Sequence, residues 1–283
     1  MNLILYMRIS IIHNDNNNNY QYKHTNPAFT SRYVRYKEVY KPGTVGNRLE
    51  DLLYTNSTAM FRKNKGLANT WREGTKLIYE VFKDVENFKI TILGCADGRE
   101  CLTQRIALIN DYGYDFAQKC SPIKAVDIDP QSIARAESDN ILLSLDEICV
   151  IDRYTNGKFN KYFSSPYADD KYNVRKWTIN PILSSGIEYV LGDIFDEYKK
   201  IIPDNNVIGA KDFWLYFDLD KRKELADGLA SKVGKRSLIF IGDADREDII
   251  RHRPVDEFLI NAGFKPSKTV DYVYKTPDLP DYL

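Results

Sequence analysis

The chain has 283 residues, 43% of them hydrophobic, with 40 basic and 40 acidic side chains. That suffices for one large domain, or one domain with a smaller appendage, around a sizeable core. The balanced charge supplies no overall field toward nucleic acid or a membrane surface.

The first twelve residues, MNLILYMRISII, are apolar, but Arg8 interrupts them, no basic segment precedes them and no small-residue cleavage site follows. They are also too short to span a bilayer. An Asn-rich stretch of low complexity follows, and residues 1–30 are expected to form a mobile arm. Residues 31–85 read as a mainly helical segment. It contains the basic, tyrosine-rich run SRYVRYKEVY and a helix ending near Val85, where Leu77, Val81 and Val85 recur every four residues beside Ile78.

From Phe88 strands alternate with helices, and residues 86–283 are expected to form one domain. FKITILG is the first strand, and RECLTQRIALINDYG is a helix with Leu102, Ile106 and Ile109 on one face and Gly113 as its stop. IKAVDID is the second strand, and PQSIARAES opens a helix with Pro130 in its first turn. Residues 142–185 show weak periodicity and a turn signal at Asn156-Gly157. They read as a helical segment followed by a small insertion such as a hairpin, a kind of insertion that often carries specificity. IEYVLGD is the third strand and FWLYFDL the fourth, followed by the helix DKRKELADGLASKV and its terminating Gly234. SLIFIGD is the fifth strand, VDEFLINAG a late helix, and KTVDYVYKT a last strand with Val270, Tyr272 and Tyr274 on one face.

This rhythm predicts a mostly parallel sheet covered on both faces. Ligands of such sheets bind at the carboxyl ends of the strands, near the switch in strand order. GCADGRE and VDID stand at the first two such ends. Cys95, Cys101, Cys120 and Cys149 lack CxxC spacing and read as reduced thiols of a cytosolic protein. His13, His24 and His252 are too dispersed for a metal site, and none is expected.

A dinucleotide site needs G-x-G-x-x-G and a helix start that welcomes an anion. Here Gly94 and Gly98 form G-x-x-x-G, with no third glycine in place, and Glu100 stands where a pyrophosphate would lie. S-adenosylmethionine (SAM) fits better. It has no phosphate, and its ammonium and sulfonium are both positive, so nearby carboxylates help. Gly94 and Gly98 would let the backbone approach it closely. Asp127 is placed to accept hydrogen bonds from both ribose hydroxyls, and Asp193 to sit near the adenine. Each assignment has a structural alternative. Asp127 could cap the helix at Pro130, although Asp129 is better placed for that, and Asp193 could cap a following turn. Asp97 could serve only to fix the glycine turn.

At these residues the chain resembles the CheR-type chemotaxis-receptor methyltransferases, which methylate glutamate side chains. TNSTAMFR (Thr55–Arg62) resembles the family's T-N-x-T-x-F-F-R segment, and GCADGRE its glycine loop ending in G-E-E. AVDIDPQSIARAE resembles its A-x-D-I-D-x-x-x-L-x-x-A segment, and FNKYF its short Tyr-Phe segment. FWLYFDLDKRKELADGLASKV with SLIFIGDAD resembles its I-Y-F-D strand, helix and L-F-x-G-H-S-E strand. The likeness covers roughly residues 50–245.

The resemblance implies a Rossmann-like class I SAM-dependent methyltransferase fold with a seven-stranded, mostly parallel sheet and a short helical N-terminal region. It implies SAM as cofactor, S-adenosylhomocysteine (SAH) as product, and a cytoplasmic protein substrate such as the cytoplasmic domain of a chemoreceptor. Implied cofactor residues are Asn56, Thr58, Arg62, Gly94, Ala96, Gly98, Glu100, Asp127, Ile128, Asp193, Ile194 and Asp212, with Arg62 and Tyr216 on the catalytic side. Without the family match, Arg62 reads as a surface arginine.

The chain departs from the family at three places. Lys211-Asp212 replaces Arg-Asn, Gly242-Asp243-Ala244-Asp245 replaces Gly-His-Ser-Glu, and Glu100-Cys101-Leu102-Thr103 replaces Glu-Pro-Tyr-Ser. Residues 1–50 also leave little room for the family's N-terminal helical bundle, which helps engage receptor surface. Two further readings therefore stand beside the first: the same cofactor with another acceptor, and a noncatalytic relative that binds SAM or SAH. A nucleic-acid substrate would use SRYVRYKEVYK to contact phosphate and stack on bases, and the balanced charge gives it no support.

Overall fold

The computed structural model describes residues 60–61, 70–169, 174–242, 245 and 255–283. The expected arm, most of the segment before residue 70, and Asn56, Thr58 and Arg62 lie outside the described residues.

The centre of the fold is β1 (Lys89–Leu93), whose last four residues are all buried, as a strand covered on both faces requires. It pairs in parallel with β2 (Ile123–Asp127) on one side and β7 (Asn206–Ala210) on the other. β6 (Ile187–Leu191) extends the sheet beyond β2 and β8 (Ser237–Ile241) beyond β7, again in parallel. β10 (Val273–Lys275) and the short β9 (Lys265–Pro266) close that side antiparallel, for the order β6-β2-β1-β7-β8-β10-β9. The mostly parallel seven-stranded sheet expected from the sequence is therefore the one that forms. Its order runs outward in both directions from β1, so a crevice opens between the ends of β1 and β7.

Two apolar layers cover the sheet. One gathers Ile90, Ile92 and Val207 with Leu102, Ile106 and Ile109 of α2 (Arg99–Tyr112), and with Leu77, Ile78 and Val81 of α1 (Thr70–Phe82). Helix α3 (Tyr114–Gln118) adds Phe116 and Ala117. The other layer gathers Leu93, Ile208 and Ile239 under Leu225, Ala226 and Leu229 of α8 (Leu219–Lys232) and Leu259 of α9 (Val255–Asn261). Helix α4 (Pro130–Ala136) returns the chain from β2, and α6 (Pro181–Ser184) and α7 (Ile194–Glu197) flank β6.

Between α4 and α6 the chain builds a second sheet. β3 (Asn140–Ser144) leads into α5 (Leu145–Tyr154), and β4 (Phe163–Asp169) pairs with β5 (Val174–Ile179). All three strands are antiparallel in the order β3-β5-β4. Asn156 and Gly157, with φ of 54° and 79°, turn the chain at the end of α5, where the Gly157 N–H donates to the Asp152 carbonyl.

Two sequence expectations are corrected. The fourth strand of the main sheet is Asn206–Ala210, and FWLYFDL instead contains a 3-10 turn at Trp214–Tyr216. Small and branched residues of NVIGA fit between β1 and β8, whereas the aromatic rings that follow find their burial in a turn beyond the strand end. The last strand is also shorter than KTVDYVYKT, because Tyr272 takes a left-handed φ of 61° and breaks the alternation.

A buried cation fixes the amino-terminal end of β6. The Arg105 guanidinium has no exposed surface, its Nε donates to the Ile182 carbonyl at 3.1 Å, and a Cβ on Gly186 would overlap it. Gly186→Ala is expected to lower stability by about 1–3 kcal/mol, the usual cost of overpacking. Thermal unfolding checks this; an unchanged Tm would show that Arg105 has room to move.

Candidate cofactor crevice

Five strand ends lie in register along one edge of the sheet. Leu93 is level with Val126 and Ala210, Asp127 with Leu191, and Ala210 with Ile241. The residues that follow, from Gly94 to Gly242, therefore form one line at the carboxyl edge.

The turn after β1 is built from three left-handed residues, Gly94 (φ 71°), Ala96 (φ 47°) and Gly98 (φ 82°). Gly98 precedes α2 and has no room for a side chain, since a Cβ would lie 2.5 Å from the Tyr189 hydroxyl. A Cβ on Gly94 would press on Phe213 at 3.1 Å. The Cys95 N–H donates to the Val126 carbonyl and the Gly98 N–H to the Cys95 carbonyl, which ties the turn to β2 and closes it.

Asp127 accepts the Ala96 N–H at 2.8 Å and the Asp129 N–H at 2.9 Å, one on each carboxylate oxygen. It thus clasps the strained residue of the glycine turn. Burial raises its pKa, and these backbone donors oppose that shift. The helix cap is Asp129, which accepts from the Gln131 and Ser132 N–H groups at 3.1 and 3.2 Å. A carboxylate offers about four acceptor sites, so Asp127 keeps capacity for a ligand's hydroxyls. Asp193 caps α7 by accepting the Phe195 N–H at 2.8 Å, so the capping alternative is realised there. Ile128 and Ile194, half-buried, follow these two aspartates at neighbouring strand ends.

The acidic residues of the glycine turn are paired. Asp97 and Arg99 form a buried ion pair, and Arg99 Nε also meets Glu147 at 3.0 Å. Glu100 lies in the first turn of α2 with Oε1 2.8 Å from Lys211 Nζ. The charge read from sequence as facing a cationic ligand is therefore offset by a lysine from the end of β7. Phe61, the residue before Arg62, stands on α2 through its N–H to Thr103 Oγ1 at 3.3 Å, and its ring packs against Tyr154 at 4.3 Å, tilted by 33°.

Across the crevice, the chain after β7 turns sharply at Asp212, a non-glycine residue with φ of 60°. Phe213 and Trp214 stack at 5.6 Å between centroids, and Trp214 Nε1 donates to the Ala210 carbonyl at 2.8 Å. Tyr216 follows, 42% exposed. Desolvation, then the Asp212 and Asp245 carboxylates, raises the pKa of its hydroxyl. Asp245 is fully buried, and burial and Asp212 push its carboxyl well up while three backbone N–H groups pull it back. Sequence reading did not assign Lys211, Arg99, Tyr189 or Asp245. Lys211 and Asp245 were visible there only as departures from a family pattern. Among the described residues no cluster of His, Cys, Asp and Glu could hold a metal ion, and no helix is long and apolar enough to cross a membrane.

A parallel sheet in this order, with a glycine turn after its first strand and an aspartate ending its second, is the Rossmann-like fold of SAM-dependent methyltransferases. The family model described as CheR methyltransferase, SAM binding domain, matches residues 56–253, and the chain belongs to that family. Its cofactor is S-adenosylmethionine.

Solved structures resemble the chain at low identity. Magnesium protoporphyrin IX methyltransferase from Synechocystis PCC 6803 with bound SAH is 11% identical, covering 86% of this chain and 92% of its own, with a TM-score of 0.40. Precorrin 8W decarboxylase from Methanobacterium thermoautotrophicum is 15% identical over 68% of this chain and 72% of its own, at 0.36. Precorrin-6y C5,15-methyltransferase from Geobacter metallireducens GS-15 is 10% identical over 76% and 90%, also at 0.36. No curated protein sequence matches the chain significantly.

Proposed function

We propose that the protein transfers a methyl group from SAM to a side-chain carboxylate of a protein, a glutamate in the family's manner, with a chemoreceptor cytoplasmic domain as the expected kind of partner. The observation that carries the reading is the crevice between β1 and β7, with Asp127 on the cofactor side and Tyr216 on the other. The bound cofactor supplies an electrophilic methyl on a sulfonium. Asp127 holds the ribose hydroxyls, Gly94 and Gly98 allow close backbone approach, and Asp193, Ile128 and Ile194 border the adenine. Asn56, Thr58 and Arg62 join the cofactor site, and Arg62 holds a carboxylate of the cofactor or of the acceptor. A carboxylate is already nucleophilic at neutral pH, so the chain's part is to align it and exclude water. In this scheme residues 86–283 are the catalytic unit, and the second sheet, inserted between α4 and α6, contributes acceptor recognition.

One observation favours a second reading of the acceptor. Asp212, beside Tyr216, stands where the resemblance places a neutral Asn, and added negative charge disfavours an anionic acceptor. Transfer of a tritiated methyl group to receptor cytoplasmic fragments separates the two. Label released by mild base is expected for a carboxyl ester. Base-stable label would reassign the acceptor to nitrogen or carbon, and SAH binding without any transfer would mark a noncatalytic relative.

A further inference from the structure

We propose that Asp245 is the positioning residue of the acceptor-side turn, fixing Tyr216 against the crevice through the backbone of residues 211–217. The proposal rests on the methyltransferase reading above and adds to it a residue that touches neither cofactor nor acceptor.

Three backbone donors from two strand ends converge on this one carboxylate. Oδ2 accepts the Asp212 N–H at 2.5 Å and the Gly242 N–H at 3.1 Å, and Oδ1 accepts the Trp214 N–H at 3.0 Å. The side chain has no exposed surface, so water does not compete for these bonds. They span the residue whose backbone is least comfortable, Asp212 at φ 60°. A left-handed non-glycine residue persists only where its surroundings over-determine it, and here a buried carboxyl group grips the amide on it and the amide two residues on.

The rest of the turn is tied to the cofactor side. Lys211 pairs with Glu100 at 2.8 Å, and Phe213 packs on Gly94 of the glycine turn. The Tyr216 N–H then donates to the Phe213 carbonyl at 3.0 Å and the Phe217 N–H to Trp214 at 3.0 Å. Tyr216 thus inherits its orientation from a turn held through Phe213 by the glycine loop and through Asp212 and Trp214 by Asp245. Gly242 completes the arrangement, since a Cβ there would overlap the Asp212 carboxyl.

The test uses full-length protein labelled with 3-fluorotyrosine, with the Tyr216 signal assigned from Tyr216→Phe. In Asp245→Asn one or two of the three amides must face an NH2 group instead of an acceptor oxygen. The variant is expected to bind SAH within about tenfold of wild type while the Tyr216 fluorine signal shifts or splits. In wild-type protein the Asp212, Trp214 and Gly242 amides are expected to exchange with solvent more than about 100-fold slower than unprotected amides.

An unmoved Tyr216 signal in folded Asp245→Asn overturns the proposal. So does fast exchange of those three amides, which decides the matter even if the variant does not fold. If wild-type protein fails to bind SAH while the amides are protected and the signal moves, the cofactor reading fails and the role of Asp245 stands.

Discussion

Asp127→Ala is expected to weaken SAH binding by about 100-fold or more, measured by calorimetry, because it removes charge-assisted hydrogen bonds worth roughly 1.5–3 kcal/mol each. Two losses combine. The ribose hydroxyls lose their acceptor, and the Ala96 N–H loses the oxygen that holds it at 2.8 Å, so the glycine turn relaxes. Asp127→Asn separates them: its single carbonyl oxygen can keep one backbone donor while its NH2 faces the other, and an intermediate affinity is expected. Affinity retained within about threefold in the alanine variant, well under 1 kcal/mol, would contradict the ribose assignment.

The same residue gives a pH dependence of defined sign. Burial raises the Asp127 pKa in the folded protein. Protonation therefore begins at a higher pH than for an exposed aspartate, and SAH affinity should fall as pH is lowered through that raised value. Stability runs the other way. An acid with a raised folded pKa costs stability while it is ionised, and the cost is relieved on protonation.

Gly98→Val should be the second severe change. The position has φ of 82°, and its Cβ would stand 2.5 Å from the Tyr189 hydroxyl and 2.9 Å from the ring carbon Cε1. We expect a loss of SAH affinity of about 30-fold and destabilisation of about 2–4 kcal/mol, combining backbone strain with overpacking. Gly157 supplies the control. It has φ of 79°, close to that of Gly98, with nothing within 4 Å of an added Cβ, so Gly157→Ala carries backbone strain without overpacking. Equal destabilisation by Gly98→Ala and Gly157→Ala would show that Tyr189 simply moves aside.

The alternation of strand and helix from Phe88 onward was readable because each buried strand is a short run of branched residues ending at a turn, and the parallel sheet follows from that rhythm. Asp129 as the cap of α4 was readable too, since it sits one residue before Pro130. What could not be read depends on partners distant in sequence. Glu100 looked like a free anion until β7 brought Lys211 beside it. FWLYFDL carries the composition of a strand, yet its rings gain their burial from a turn that only the positive φ of Asp212 allows. Asp245 acts through three amides 3, 31 and 33 residues away, and no local pattern encodes that convergence.

The small second sheet enters and leaves the main fold at one point. Asn140 pairs with Thr178, and the Ile179 N–H donates to the Asp139 carbonyl at 2.7 Å, so the two connecting ends are already zipped together. In evolutionary terms this is a splice junction: a different cassette could be grafted between Asp139 and Asn180 without stretching β2 or β6. The graft inherits contacts outside the cassette. Tyr154 donates to Asp111 at 2.6 Å, and Glu147 accepts from Arg99 beside the glycine turn and from the Met60 N–H at 3.1 Å, so any replacement must supply these groups with new partners.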